Sequence, residues 1–276
     1  MRFQYLGTGA AEGLPAFLCT CNNCVRAREM GGRAIRTRSQ ALIDGKFLID
    51  FPPDTYMHMV TYGFSLLDIK TCIVTHAHHD HFFPEDVDMI KPGFSHAPEG
   101  WHLDLYGSAP VIDKVSEKTK EKLAQHRLVS FHTIEPFDTF EADGYRVTAL
   151  PAVHGPASGP VIYQIEDGEK TILYGNDTFT ITEETWAYWE KTKPHFDMVS
   201  LDCTFICRPT HASHMGLAEN VQVRRRMLEM GIADDKTTFI CHHFSHNPEY
   251  AIYDDLVPIA AKEGFLVSYD GMILNI

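Results

Sequence analysis

Apolar and polar positions come in short blocks along the whole chain, and the period of the blocks changes. Arg2-Phe3-Gln4-Tyr5-Leu6 opens it as a strand-like run. Ala41-Leu42-Ile43 and Phe47-Leu48-Ile49 lie on either side of Asp44-Gly45, a pattern that predicts a hairpin. Thr71-Cys72-Ile73-Val74 is a short apolar run, best read as a buried strand. Residues 146–150, 171–174, 198–201 and 238–241 also read as strands. Helices are predicted over 116–123, 217–230 and 251–261. In the second of these, Leu217, Val221, Met227, Leu228 and Met230 recur at near-helical intervals and Gly231 is the stop. The end of the chain, with 265–267 and 272–274 around Asp270-Gly271, predicts a second hairpin. Strands and helices alternate throughout, without a repeat or a linker, so the chain reads as one α/β domain, 1–276. Residues 91–102, with Pro92, Gly93, Pro98 and Gly100, read as a surface excursion over it.

Composition narrows the function. A chain of 276 residues, 44% hydrophobic, can bury a sizeable core. Its net charge of -13 argues against a nucleic-acid partner and favours a small substrate. The arginines at 26, 28, 33, 36 and 38 and at 224–226 read as solvated faces. No export signal and no membrane-length apolar stretch are visible, so a cytoplasmic location without membrane association is expected. Seven cysteines in such a chain argue against a disulfide framework. Cys72, Cys203, Cys207 and Cys241 read as buried inert thiols. Cys19, Cys21 and Cys24 cluster.

Chemistry concentrates after the strand ending at Val74. His76, His78, Asp80 and His81 fall within six residues, a density of imidazole and carboxylate that suits zinc, iron or manganese. His79 lies between them and is read as facing solvent. Further ligands are expected at other strand ends, where His154, Asp177 and His243 stand. Asp177 is the natural bridge, because one carboxylate can serve two cations. Asp202 is read as a buttress. Three thiolates in Cys-x-Cys-x-x-Cys form a short clip that needs a distant fourth ligand to close a tetrahedral zinc site.

The motif HxHxDH followed by His154, Asp177 and His243 resembles the metallo-β-lactamase superfamily. The resemblance implies an αββα sandwich with metals at one edge. It implies His76, His78 and His154 on one divalent cation and Asp80, His81 and His243 on another, zinc or manganese, with Asp177 between and Asp50 bracing the loop. Leu6-Gly7-Thr8-Gly9-Ala10-Ala11-Glu12-Gly13-Leu14-Pro15, the cysteine trio, His243-Phe244-Ser245-His246 and Asp270-Gly271-Met272 resemble the phosphoribosyl cyclic phosphodiesterase family of the carbon–phosphorus lyase pathway. That narrower resemblance implies a structural zinc on Cys19, Cys21, Cys24 and His246, and a homodimer. It implies hydrolysis of a small phosphodiester, such as a cyclic ribose phosphate, by a hydroxide shared between the metals. Asp80 and His214 are the expected catalytic residues. His214 matches a proton-donating histidine of the phosphodiesterase branch, and His211 is its local competitor. The alternatives are a hydrolase of another ester class, or a non-hydrolytic metalloprotein like the pyrroloquinoline quinone biosynthesis protein, whose N-terminus is similar. Phe82-Phe83-Pro84-Glu85-Asp86 and the 91–102 loop depart from the pattern and are expected to shape a substrate pocket.

Overall fold

The structure, a computed structural model, describes residues 1–210 and 213–276. The first sheet contains β1 (Arg2–Gly7), β2 (Gln40–Ile43), β3 (Phe47–Ile49), β4 (Thr71–Ile73), β5 (Leu103–Gly107) and β6 (Val129–Thr133). The second contains β7 (Thr139–Ala142), β8 (Tyr145–Pro151), β9 (Val161–Glu166), β10 (Thr171–Gly175), β11 (Met198–Asp202), β12 (Thr238–His242) and β13 (Leu266–Val267). The chain then returns to the first sheet as β14 (Ile273–Asn275), giving the orders β14-β1-β2-β3-β4-β5-β6 and β13-β12-β11-β10-β9-β8-β7. The helices are α1 (Asn22–Met30), α2 (Thr55–Tyr62), α3 (Pro84–Asp88), α4 (Ala109–Lys114), α5 (Glu117–Gln125), α6 (Glu183–Thr192), α7 (Leu217–Glu229) and α8 (Tyr253–Lys262).

Alternation of side chains along each strand separates the cores. Phe47 and Ile49 face the second sheet, where they share an inter-sheet core with Tyr145, Val147, Tyr163 and Ile172. Leu48 points the other way and packs with Leu105, Val111 and Leu123 on the first sheet's outer side. Leu173, Val199 and Leu201 face outward from the second sheet onto Trp189, Met227 and Leu256 of α6, α7 and α8. Both sheets are covered on both faces, which is why their central strands read as continuous apolar runs. The result is the αββα sandwich of the metallo-β-lactamase fold.

Trp189 anchors the outer core of the second sheet. It is fully buried, meets Phe196 edge-on at 5.2 Å, and its indole N–H donates to Gln164 Oε1 at 2.9 Å. Trp189→Ala leaves a cavity and an unpaired amide. The expected cost is about 3–5 kcal/mol, read as a lower urea midpoint.

Three expectations are corrected. The C-terminal apolar runs do not form a hairpin: β13 pairs parallel with β12 and β14 pairs antiparallel with β1, so Asp270-Gly271 carries the chain from one sheet to the other. Arg36 is not solvated but buried: its Nη1 donates to Thr8 Oγ1 and Ser268 O at 2.8 Å, and the guanidinium lies 4.1 Å from the centre of the Phe244 ring. Cys207 is exposed, whereas Cys72, Cys203 and Cys241 are buried as expected. The 91–102 stretch forms no helix or strand, and Ser95, His96, Ala97 and Trp101 help to line a cavity of about 580 Å³ with Phe51, Met59 and Leu66. Among the described residues, no helix is long and apolar enough to cross a membrane.

Candidate metal centre

Strand direction gathers the site. β10, β11 and β12 are mutually parallel, and two antiparallel pairings, through β9, point β8 the same way. Their C-terminal ends therefore share one edge, and His154, Asp177, Asp202 and His243 follow directly there. β3 and β4 are parallel too, which brings Asp50 beside the loop that carries the histidine motif. Asp50, Asp177 and His243 all occupy the left-handed region, at φ 66°, 48° and 61°. Non-glycine residues adopt it reluctantly, and such strain gathers where a side chain must be aimed.

Hydrogen bonding decides which nitrogens face inward. His81 Nδ1 lies 2.7 Å from Asp50 Oδ2, a carboxylate that only accepts, so Nδ1 carries the proton. His154 Nδ1 lies 3.1 Å from the carbonyl of Ser213 and is protonated for the same reason. Thr204 Oγ1 gives its proton to the His243 carbonyl at 2.9 Å, so it accepts from His243 Nδ1 at 2.8 Å. Thr75 Oγ1 likewise donates to Asp50 Oδ1 and accepts from His76 Nδ1 at 3.1 Å. The inner Nε2 atoms of His76, His154 and His243 are left with lone pairs. Burial opposes charge on His81, but Asp177, Asp50 and Asp80 outweigh it and hold its pKa well above the usual range, so its Nε2 also carries a proton, one that a bound cation would displace.

These inner nitrogens converge. His76 Nε2 and His154 Nε2 each lie 3.0 Å from His78 Nδ1. His81 Nε2 lies 3.3 Å from His243 Nε2 and 3.3 Å from Asp80 Oδ2. Nitrogen ligands about 2.0–2.1 Å from one tetrahedral cation sit roughly 3.3 Å apart, so both groups have the spacing of a cation's ligands. Asp177 stands between them: Oδ1 is 3.7 Å from His154 Nε2, and Oδ2 is 2.8 Å from His81 Nε2 and 3.1 Å from His243 Nε2. Oδ2 is buried and accepts no hydrogen bond. Burial opposes ionisation of Asp177, but His243 and His81 outweigh it and hold the carboxyl well below the usual range. An ionised carboxylate facing converging imidazole nitrogens is a donor set that fits divalent metal.

His214 lies beside this centre. Its ring stacks on His243 at 17° and 5.6 Å between centroids, and Nδ1 donates to Asp202 Oδ2 at 2.8 Å. Burial works against its charge, but the Asp202 carboxylate outweighs it and raises the pKa to about 9. Cations bound nearby would draw this down. His211 lies outside the described residues. His79 is exposed and rests against Phe83.

The second cluster is the cysteine clip. His246 Nδ1 lies 3.5 Å from the Sγ of Cys19 and Cys21 and 3.4 Å from that of Cys24. Tetrahedral zinc with three thiolates and one imidazole places sulfur and nitrogen about 3.5 Å apart. Sequence reasoning brought the ligand candidates together but missed Thr75, Thr204 and the Ser213 carbonyl, which set the tautomers. Lone threonines and a backbone oxygen leave no signature.

The chain belongs to the family described as the beta-lactamase superfamily domain, which it matches over residues 46–243. Its fold is similar to that of a diphosphatase of the PhnP family, with 22% identity and a TM-score of 0.71 over 99% of this chain and 97% of that one. It is also similar to zinc-bound PqqB from Methylobacterium extorquens, with 18% identity and a TM-score of 0.70 over 100% of both. Human tRNase Z, short form, has 16% identity and a TM-score of 0.66 over 100% of this chain and 99% of that one. A curated relative, an octanoyltransferase of Porphyromonas gingivalis (strain ATCC BAA-308 / W83), is 26% identical over 165 residues. That match covers 56% of this chain and 31% of the relative, so the chain spans about a third of that protein's length.

Proposed function

We propose that the chain is a metal-dependent hydrolase of a small phosphodiester, with a catalytic cation pair, zinc or manganese. His76, His78 and His154 would hold one cation, Asp80, His81 and His243 the other, and Asp177 would bridge them. The observation that carries this reading is the convergence of imidazole nitrogens on either side of one ionised carboxylate. A bound cation pair supplies a water-derived nucleophile at neutral pH and neutralises charge on the nonbridging oxygens. The acidic surface supports a small substrate over nucleic acid. The clip of Cys19, Cys21, Cys24 and His246 would hold a separate structural zinc.

The chain's own part in the reaction is orientation and proton delivery. Asp202 accepts from His214 Nδ1 and holds the ring in one orientation. It also stabilises the imidazolium, whose Nε2–H is then available to a leaving alkoxide. Asp80 completes the carboxylate lining with Asp177, and a carboxylate rather than a thiolate at this position suits phosphoester chemistry.

The test is metal content per chain alongside turnover of bis(p-nitrophenyl) phosphate and a ribose cyclic phosphate. Diester hydrolysis that depends on added Mn2+ or Zn2+ supports the reading. Full metal without turnover of any ester sinks it and favours a carrier role. His214→Ala should lower kcat by roughly 100-fold or more with metal content intact. Lost metal, or unchanged kcat, would remove His214 from the role of acid.

A further inference from the structure

We propose that Gln40 and His58 are positioning residues of the metal centre, acting through the backbone of Asp50. The inference rests on the reading of a metal site at His81, and neither residue touches that site directly.

Asp50 engages four polar groups in a left-handed conformation. Its Oδ1 accepts from Thr75 N–H at 2.8 Å and from the Thr75 hydroxyl at 2.9 Å. Its Oδ2 accepts from His81 Nδ1, which turns His81 Nε2 toward Asp80, Asp177 and His243. Its N–H donates to Ile73 O at 2.8 Å, and its own carbonyl accepts from Gln40 Nε2 at 3.0 Å. Gln40 is therefore a clamp on the carbonyl of a residue whose φ of 66° is otherwise disfavoured.

The clamp has a fixed polarity. The Asp50 carbonyl only accepts, and Thr55 Oγ1 spends its proton on Pro52 O at 2.7 Å, so Gln40 must present its amide N–H2 to both. Its Oε1 then faces His58 Nδ1 at 2.6 Å, which must carry a proton. His58 Nε2 in turn lies 2.7 Å from Thr37 Oγ1, and that hydroxyl lies 2.7 Å from Asp270 Oδ2. Thr37 has one hydroxyl proton for two neighbours, so both contacts are satisfied when a proton sits on Asp270 or when His58 is an imidazolium. In either state His58 Nδ1–H still points at Gln40. Gln40, His58, Thr55 and Asp50 are buried away from water, which leaves the chain of donors no alternative partners. A buried run of hydrogen bonds with one direction thus ends on the residue that sets the tautomer of a ligand histidine.

The test uses Gln40→Leu and His58→Ala, with His58→Gln as the conservative variant and Ser39→Ala as the control. Ser39 is equally buried nearby, but its hydroxyl donates to Gly9 O and lies off the chain of contacts. The first readout is the rate at which EDTA strips Mn2+ from loaded protein, because manganese is disfavoured by the thiolate clip. The second is the exchange of the His81 Nδ1 proton with solvent, followed by its ring 15N signal in metal-free protein. We expect Gln40→Leu and His58→Ala to release Mn2+ about tenfold faster, and the His81 Nδ1 proton to exchange faster. For any ester the protein hydrolyses, kcat falls with KM unchanged. His58→Gln restores part of each effect, and Ser39→Ala changes none. Wild-type release rates and an unchanged His81 Nδ1 exchange rate in Gln40→Leu overturn the proposal, and Gln40→Leu decides if His58→Ala does not fold. Faster release in a protein that hydrolyses no ester overturns the hydrolase reading and leaves the positioning role standing.

Discussion

Asp177→Asn is expected to cost more than about 100-fold in turnover, beyond the usual penalty for disturbing a residue outside the ligand set. It should also empty the catalytic centre of metal while the cysteine clip keeps its own. The substitution preserves size and shape, so the loss would report charge and donor number. Asp177 presents one oxygen to His154 and the other to His81 and His243, and an amide offers only one oxygen. Two dications separated by neutral groups repel strongly in a site of low dielectric. Asp177 is 3% exposed, so solvent cannot supply the missing charge. A calorimetric control separates this from misfolding. A cation at a hundred times its Kd adds about 2.7 kcal/mol to the stability of the folded state. Wild type should therefore melt higher with Mn2+, and Asp177→Asn should show no such shift. Metal-free Asp177→Asn should melt below metal-free wild type, because a carboxylate whose pKa is depressed in the folded state stabilises it at neutral pH, so the comparison that counts is the Mn2+ shift within each protein. A variant that keeps both metal and turnover would show that Asp177 does not bridge.

Cys24→Ser is expected to lower Tm by about 10 °C and open residues 17–21 to protease. Phe17 is 83% exposed and Leu18 102% exposed, so the tip of this loop buries almost no apolar surface. Leu14 is buried and exchanges backbone hydrogen bonds with Arg36, so it is the stretch beyond Ala16 that the clip ties down. Cys24 is buried, its Sγ accepts from Ala16 N–H at 3.4 Å, and its sulfur lies beside His246. A metal bound at a thousand times its Kd contributes about 4.1 kcal/mol, and each kcal/mol moves Tm by about 2–4 °C in a chain of this class. His246 stands three residues beyond His243, so loosening the clip should also lower turnover modestly, with catalytic metal retained. Unchanged Tm and protease resistance would mean that the clip is no structural site.

The histidine motif was legible because its chemistry is local. His76, His78, Asp80 and His81 share one short loop, and no ordinary packing demand calls for that density. His154, Asp177 and His243 could be proposed from strand ends, since a strand's apolar run tells where it stops. Asp202 was legible in the same way. The C-terminal hairpin was misread because two apolar runs around Asp-Gly look alike whether they pair with each other or with separate sheets. Arg36 was misread because a charged side chain in a polar stretch gives no sign of the aromatic ring and carbonyl that will enclose it. Cys207 was misread in the opposite sense, since a thiol among apolar neighbours in sequence need not be among them in space.

The sequence by itself determined which residues are candidate ligands, the alternation that makes both sheets two-faced, and the cysteine clip's need for a distant partner. These depend on residue type and on spacing over a few positions. Tertiary structure decided which nitrogen of each histidine faces inward, which oxygen of Asp177 faces which cluster, and that Gln40 and His58 stand behind Asp50. Those outcomes depend on acceptors such as the Ser213 carbonyl, Thr204 and Thr75, placed by parallel strands tens of residues apart. Hydrogen-bond direction is a property of pairs in space, and a linear order of residues does not contain it.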